Sequence, residues 1–410
     1  MAAGEHPELE TPENRLLLAC ARTTLREQDA ERIRALLRTE IDWERLLSDA
    51  RRHRVTLLLD RSLKAADIGQ GTHPYHERLR DHTRAFAARN AFLVQALTRL
   101  LARFEAEQIP TIPYKGPVIA SLAYGDIRLR EFNDLDFLIR PQDVARVCAV
   151  LRSEGFETAN RLTPRETAHV QREFKEYCFQ SGLVVVEPHW SITARRFPFP
   201  IDYDALWNRA QPTCISNATV RVFAREDLLL IQCVTGGKSR WRRLELVCDV
   251  AETIRAFPGV DWHAVERSAR ATGSERLLLL GVGLATHLLD APVPEEIAAR
   301  IDADPHVRRL TRRVIKALFG ARNTGAVTKR SPSQFSPLLM TMRERPSHRW
   351  LYLWRTLTTP TLTHLRRFPL PDWLWPLYRL LVPLHDYIAR PIVQLSRGLW
   401  VHAHSPSRTP

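Results

Sequence analysis

Residues 112–140 read IPYKGPVIASLAYGDIRLREFNDLDFLIR, and how this stretch folds decides the rest. An apolar run ends at Lys115-Gly116-Pro117, and a short helical pattern follows. Asn133-Asp134-Leu135-Asp136-Phe137-Leu138-Ile139 then alternates acid with apolar residues, as a half-buried strand does. The alternation puts Asp134 and Asp136 on one face and Leu135 and Phe137 on the other, so two carboxylates about 6–7 Å apart ride on a rigid element. Like charges at that spacing repel unless a cation sits between them. One or two Mg²⁺ (or Mn²⁺) ions are the expected partners, because they take a few carboxylate oxygens and complete their shell with water and substrate phosphates.

The turn before the helix suits an anion. Glycine permits close backbone approach, proline is tolerated in the first helical turn, and the free N–H groups there favour negative charge. Lys115 adds a positive side chain. Alone, a Lys-Gly pair reads as a solvated turn; beside Asp134 and Asp136 it reads as a phosphate grip. Arg130, and less clearly Arg128, stand close enough in sequence to add a phosphate-binding fork, with pairing to Asp134 or Glu131 as the structural alternative for Arg130.

The ordered set Tyr114-Lys115-Gly116, Leu122-Ala123-Tyr124, Arg130 and Asn133 to Ile139 resembles the uncharacterised bacterial nucleotidyltransferase family of the DNA polymerase β superfamily. The resemblance implies an α+β fold, with a polymerase-β-like nucleotidyltransferase core of a small mixed sheet with helices, flanked by N- and C-terminal helical segments. It implies a triphosphate held by Lys115, Gly116, Arg130 and Lys238, metal ligands and catalytic groups at Asp134, Asp136 and Glu187, and substrate positioning by His189 and Arg128. Glu187 and His189 lie on one face of a strand Leu183 to Trp190, read with Phe174 to Gln180 as a hairpin through Ser181-Gly182. In the superfamily a third carboxylate on a neighbouring strand serves as base or metal ligand. Pro188 suits an edge strand. The chain departs from the pattern at Pro117, where most of the superfamily has the serine of a Gly-Ser turn, and at Thr235 and Ser239, where the family often has histidines.

The 410 residues, 44% of them hydrophobic, suffice for two or three cores. The division expected is a disordered N-terminus (1–13), a helical N-terminal segment (14–104), the nucleotidyltransferase core (105–210), a helical C-terminal lobe (211–340) and an Arg-, Trp- and Pro-rich tail (341–410). Asp42 reads as a helix N-cap before Trp43, and Gly69-Gln70-Gly71 with Pro74 as a break between helices. The charge run Arg51 to Arg54 reads as a solvated helix end, and Asp249 as a salt-bridge partner between helices. The six cysteines have no C-x-x-C spacing, so they read as reduced core residues of a cytoplasmic protein, and a zinc site is not expected.

A net charge of +14 favours an anionic partner. The N-terminus lacks a basic region followed by an apolar core, and no window holds about 18 uninterrupted apolar residues, so neither a secreted nor a membrane-spanning chain is expected. From Met340 onward the chain has five of its ten tryptophans and ten arginines against three acids. That composition suits a peripheral membrane or other anionic surface, or a tail wrapped over the other lobes. The function expected is metal-dependent transfer of a nucleoside monophosphate from an NTP to an acceptor on a small molecule, RNA or protein, with pyrophosphate released. The alternative is a non-catalytic nucleotide- or partner-binding protein on the same scaffold.

Overall fold

The computed structural model describes residues 6–66, 75–158, 161–216, 218–320 and 335–389. Five helices come first: α1 (Pro12–Cys20), α2 (Glu27–Leu37), α3 (Trp43–His53), α4 (Thr56–Ala65) and α5 (Tyr75–Ala106). Asp42 caps α3 as expected, its carboxylate accepting from Arg45 N at 3.0 Å. The expected break at Gly69 to Pro74 lies outside the described residues. Part of the stretch 1–13 expected to be disordered is ordered. Residues 1–5 lie outside the description, but a 3₁₀ turn forms at Pro7–Leu9 and α1 opens at Pro12. Asn14 Nδ2 donates to Glu8 O at 2.7 Å and Glu13 accepts from Asp42 N at 3.0 Å, so polar partners order this segment where apolar content is low.

The core sheet holds β1 (Thr111–Pro113), β2 (Asp134–Ile139), β3 (Glu157–Thr158), β4 (Phe179–Ser181) and β5 (Val184–His189) in the order β1-β2-β5-β4-β3, with β2 and β5 parallel and the other pairs antiparallel. Between them run α6 (Gly116–Leu122), α7 (Val144–Ser153) and α8 (Pro164–Glu173). The fold is α+β. Leu135, Phe137 and Ile139 of β2 bury with Leu93, Leu97 and Phe104 of α5 and with Val147 and Leu151 of α7, so the last helix of the N-terminal segment backs the sheet. Asn90 of α5 donates to Ile127 O and Arg130 O at 2.6 and 2.9 Å, fixing the loop that leads into β2.

Two strand expectations are corrected. The strand expected over Phe174 to Gln180 begins only at Phe179, since Phe174 terminates α8. β5 is also not an edge, because it lies between β2 and β4. Pro188 is accommodated because its carbonyl accepts from Tyr177 N at 3.3 Å. The missing N–H therefore falls on that side, before β4 begins.

Then follow α9 (Tyr203–Arg209), a two-stranded sheet of β6 (Gln211–Ile215) and β7 (Ala218–Val222), and six helices: α10 (Arg225–Lys238), α11 (Glu245–Ala256), α12 (Trp262–Thr272), α13 (Glu275–Leu289), α14 (Glu295–Ala303) and α15 (Pro305–Phe319). The hairpin stands within the segment expected to be helical. Ile215, Val220 and Val222 bury against Val118 of α6, which explains why these alternating residues form strands. The tail is broken into short helices as its prolines predict: α16 (Pro337–Thr341), α17 (Pro346–Thr358), α18 (Leu362–Arg367) and α19 (Tyr378–Leu384), the last continuing into a π-helical turn at His385–Ala389. All six cysteines are free; Cys20, Cys148, Cys233 and Cys248 are buried, whereas Cys178 is half-buried and Cys214 exposed, which corrects the reading of all six as core residues. Among the described residues no helix is long and apolar enough to cross a membrane.

Candidate active site

Three adjacent strands assemble the site. The parallel register sets Asp136 beside Glu187 and Leu138 beside His189, while β1 runs antiparallel to β2 and delivers Lys115 next to Asp136. Lys115 Nζ pairs with Asp136 Oδ1, and His189 Nε2 lies 2.7 Å from the same oxygen. Asp136 Oδ2 is buried without a hydrogen bond. Burial alone would raise the Asp136 carboxyl, but Lys115 and His189 outweigh it and hold the group well below the usual carboxylate range. Asp134 moves the opposite way, raised by burial and by the Asp136 charge. For Glu187 the effect of burial is outweighed by His189, whose Nε2 lies 3.6 Å away, and by Lys115, so its pKa is lowered and it is ionised at neutral pH.

His189 is fully buried and neutral. Burial and the positive charges of Lys175 and Lys115 lower it to about 4. Its Nε2–H donates to Asp136, leaving Nδ1 to accept from Lys175 Nζ at 3.0 Å. Asp136, Glu187 and His189 each offer a ligand atom within 4.8 Å of the others. The acidic groups are able to hold a metal ion, with His189 where the sequence pointed to Asp134.

Asp134 and Asp136 face a cavity also bordered by Lys115, Gly116, Arg130, Thr235, Lys238, Ser239, Arg54 and Glu245. Gly116 has φ +36°, and a Cβ there would stand 3.1 Å from Asp134 O, so glycine lets the helix start press against β2. Lys238 closes the cavity at the end of α10, with no ion pair to hold it among the described residues; burial and the charge of Lys115 push it down to about 7. Its place depends on Trp241. The buried indole fills the space beside Gly236 and Gly281, where any side chain would overlap the ring, and Arg240 and Trp241 adopt φ of +60° and +49° to turn the chain back. Gly236 is thus a packing residue.

Not every expected residue joins the site. Arg128 is exposed, forks onto Asp126 at 2.8–3.1 Å and does not line the cavity. Arg130 lines it, but its guanidinium binds Asp249 at 2.7 and 2.8 Å and Glu245 at 3.2 Å, both on α11, instead of the expected Asp134 or Glu131 side chains. Asp249 makes the salt bridge expected of it and also accepts from the Tyr124 hydroxyl at 2.9 Å. Arg54, read as solvated, lines the cavity. Lys175, buried and pushed well below its usual pKa by burial and by Lys238 and Lys115, was not singled out by sequence. Its only signal was a lysine opening a run that leads toward a strand.

Comparison with known proteins bears on this geometry. The model of a family described as uncharacterised nucleotidyltransferase matches residues 39–290, more than half of the chain. The chain belongs to this family. The match runs from just before α3 to the end of α13 and contains every residue of the carboxylate and lysine cluster. A search of curated proteins finds no match. Among solved structures the nucleotidyltransferase chain is similar to a solution structure of the antibiotic-resistance factor ANT(2'')-Ia, at 12% identity over 44% of this chain and 91% of that one, with a TM-score of 0.31. It is also similar to a crystal structure of ANT(2")-Ia in complex with adenylyl-2"-tobramycin, at 13% identity over 44% and 95%, with a TM-score of 0.30. Likeness at this level carries no argument about the site.

Proposed function

We propose that the chain transfers a nucleoside monophosphate from an NTP to an acceptor hydroxyl or phosphate, releasing pyrophosphate, with Mg²⁺ or Mn²⁺ as cofactor. The observation that carries this reading is the open oxygen of Asp136. A buried carboxylate, beside Glu187 on the next strand and two residues from Asp134, keeps Oδ2 without a hydrogen bond at a cavity bordered by two lysines. The carboxylate oxygens of Asp136 and Glu187, grouped with one nitrogen of His189, fit a hard cation that shares ligands with phosphates. Asp134 and Asp136 would hold the ion, which would supply positive charge against that developing on the phosphates.

Lys115 and Lys238 bind the triphosphate from two sides, with Gly116 giving backbone access. Glu187 does not line the cavity, which suits a base that meets the acceptor from another side. It takes the proton as the acceptor oxygen attacks the α-phosphorus; the bond to the bridging oxygen breaks and pyrophosphate leaves with that electron pair. His189 positions Asp136 through its Nε2–H. Calorimetry of the four NTPs with and without Mg²⁺, on wild type and on Asp134→Asn/Asp136→Asn, tests the reading. Metal-dependent binding of one NTP that the double variant loses is the expected result, and no binding by folded wild type overturns it.

The tail is proposed to touch an anionic lipid surface. Trp350, Trp354, Trp373, Leu380, Leu384 and Ile388 are exposed on a chain end rich in arginine. Flotation with anionic vesicles, with and without residues 341–410, is the check; equal flotation of both forms removes the tail from this role.

A further inference from the structure

The tail holds a second cluster, outside the residues matched by the family model. His364 of α18 and His385 of the π-helical turn both aim at one oxygen of Asp386: His364 Nε2 lies 3.1 Å and His385 Nδ1 2.9 Å from Asp386 Oδ1. Asp386 and His364 are buried, at 6% and 2% exposure, and the three residues each offer a ligand atom within 4.8 Å of the others. The Phe368 ring packs edge-on against His385 at 5.6 Å. We propose that His364, His385 and Asp386 form a structural site for Zn²⁺ or a transition ion of like coordination, stapling α18 to the C-terminal turn.

The donor set selects the ion. Two imidazoles and one carboxylate suit zinc, whereas Mg²⁺ prefers oxygen alone. A tetrahedral zinc needs ligand atoms roughly 3.3 Å apart, close to the two separations onto Asp386 Oδ1, so the cluster requires only a small closing movement. A fourth position is left for water. His364 Nδ1 accepts from Thr361 N at 3.0 Å and lies 2.9 Å from Thr361 Oγ1, so zinc on Nε2 requires the ring to give up that backbone bond and turn its Nδ1 proton to the hydroxyl. Binding leaves each ring neutral, its proton moved to the nitrogen facing away from the metal. The π-helical geometry of the turn that presents His385 and Asp386 is itself a feature often found at functional sites.

The site would close the base of the segment between its ligands, which carries the exposed Trp373, Leu377 and Leu380. The inference does not depend on nucleotidyl transfer, and the experiment keeps the two apart. Full-length Asp136→Asn/Glu187→Gln, which lacks the carboxylates of the other cluster, is equilibrated with Zn²⁺, desalted and analysed by mass spectrometry for metal. One zinc per chain is expected, with tetrahedral Co²⁺ absorption when cobalt replaces it, and at least tenfold less metal retained once His385→Gln is added. No stoichiometric zinc, or equal retention with His385→Gln, overturns the site. Should that variant lose helicity, titration of the Asp136→Asn/Glu187→Gln protein against a chromogenic chelator decides instead: one tight equivalent supports the proposal and none overturns it.

Discussion

The two sides of the nucleotidyltransferase cavity use the same residue types to opposite ends. On the α11 side, Arg130 occupies both oxygens of Asp249, reaches Glu245, and is joined by the Tyr124 hydroxyl on Asp249. On the strand side, Asp136 keeps one oxygen without a hydrogen bond, and across from it at the end of α10 Lys238 makes no ion pair among the described residues. Closed pairs hold the lobes together, whereas incomplete ones leave capacity for a ligand. The difference shows that the charged residues to follow toward chemistry are those whose partners are missing.

The largest effect expected falls on the strand side. Asp136→Asn should lower NMP transfer by at least about 10²–10³-fold while circular dichroism stays unchanged, with pyrophosphate release as the readout. Full activity in this variant would remove Asp136 from the machinery. Arg130→Met should act on stability instead, costing about 3–5 kcal/mol in denaturant unfolding because Asp249 is left buried without its cation, while Glu245 keeps Arg243 at 3.2 Å. A stable Arg130→Met that has lost NTP binding would erase the contrast between the two sides.

Lys238→Met comes next, through pH. With Lys238 at about 7 in the free protein, its charged form is lost as pH rises. NTP affinity should therefore fall about tenfold more between pH 6 and 8 in wild type than in the variant, measured by calorimetry. The same shift has a stability consequence. Its folded pKa lies below the unfolded value of 10.5, so the unfolded chain binds the extra proton, and wild-type stability should rise from pH 7 toward 10.5. Lys238→Met should raise the thermal midpoint at pH 7 and flatten that rise. Arg128→Ala marks the small end of the scale, with stability within about 0.5 kcal/mol and turnover unchanged, since Arg128 is exposed and pairs only with neighbouring Asp126.

What was legible in the chain was local. Alternation from Asp134 to Ile139 announced a strand with its acids on one face, and Ser181-Gly182 announced the hairpin that brings Glu187 and His189 back toward it. Lys115-Gly116 announced the turn. Three things escaped. The β6–β7 hairpin escaped because its five-residue strands, one with Pro212, carry little apolar signal until α6 covers them. The pairing of Arg130 with Asp249 escaped because that partner lies 119 residues away. Lys175 was passed over because nothing in its neighbours reveals that it ends against His189.

The sequence by itself determined the α+β class, the strand-borne carboxylates and the turn beside them, because side-chain period and glycine geometry act between residues close in the chain. Only the tertiary structure decided which charges are satisfied. It spent Arg130 on α11, sent Arg128 to solvent, used Trp241 to turn the end of α10 so that Lys238 borders the cavity, and set His364 against Asp386 in the tail. Pairing depends on distance and burial, and both are set by how remote helices pack, which no local pattern encodes.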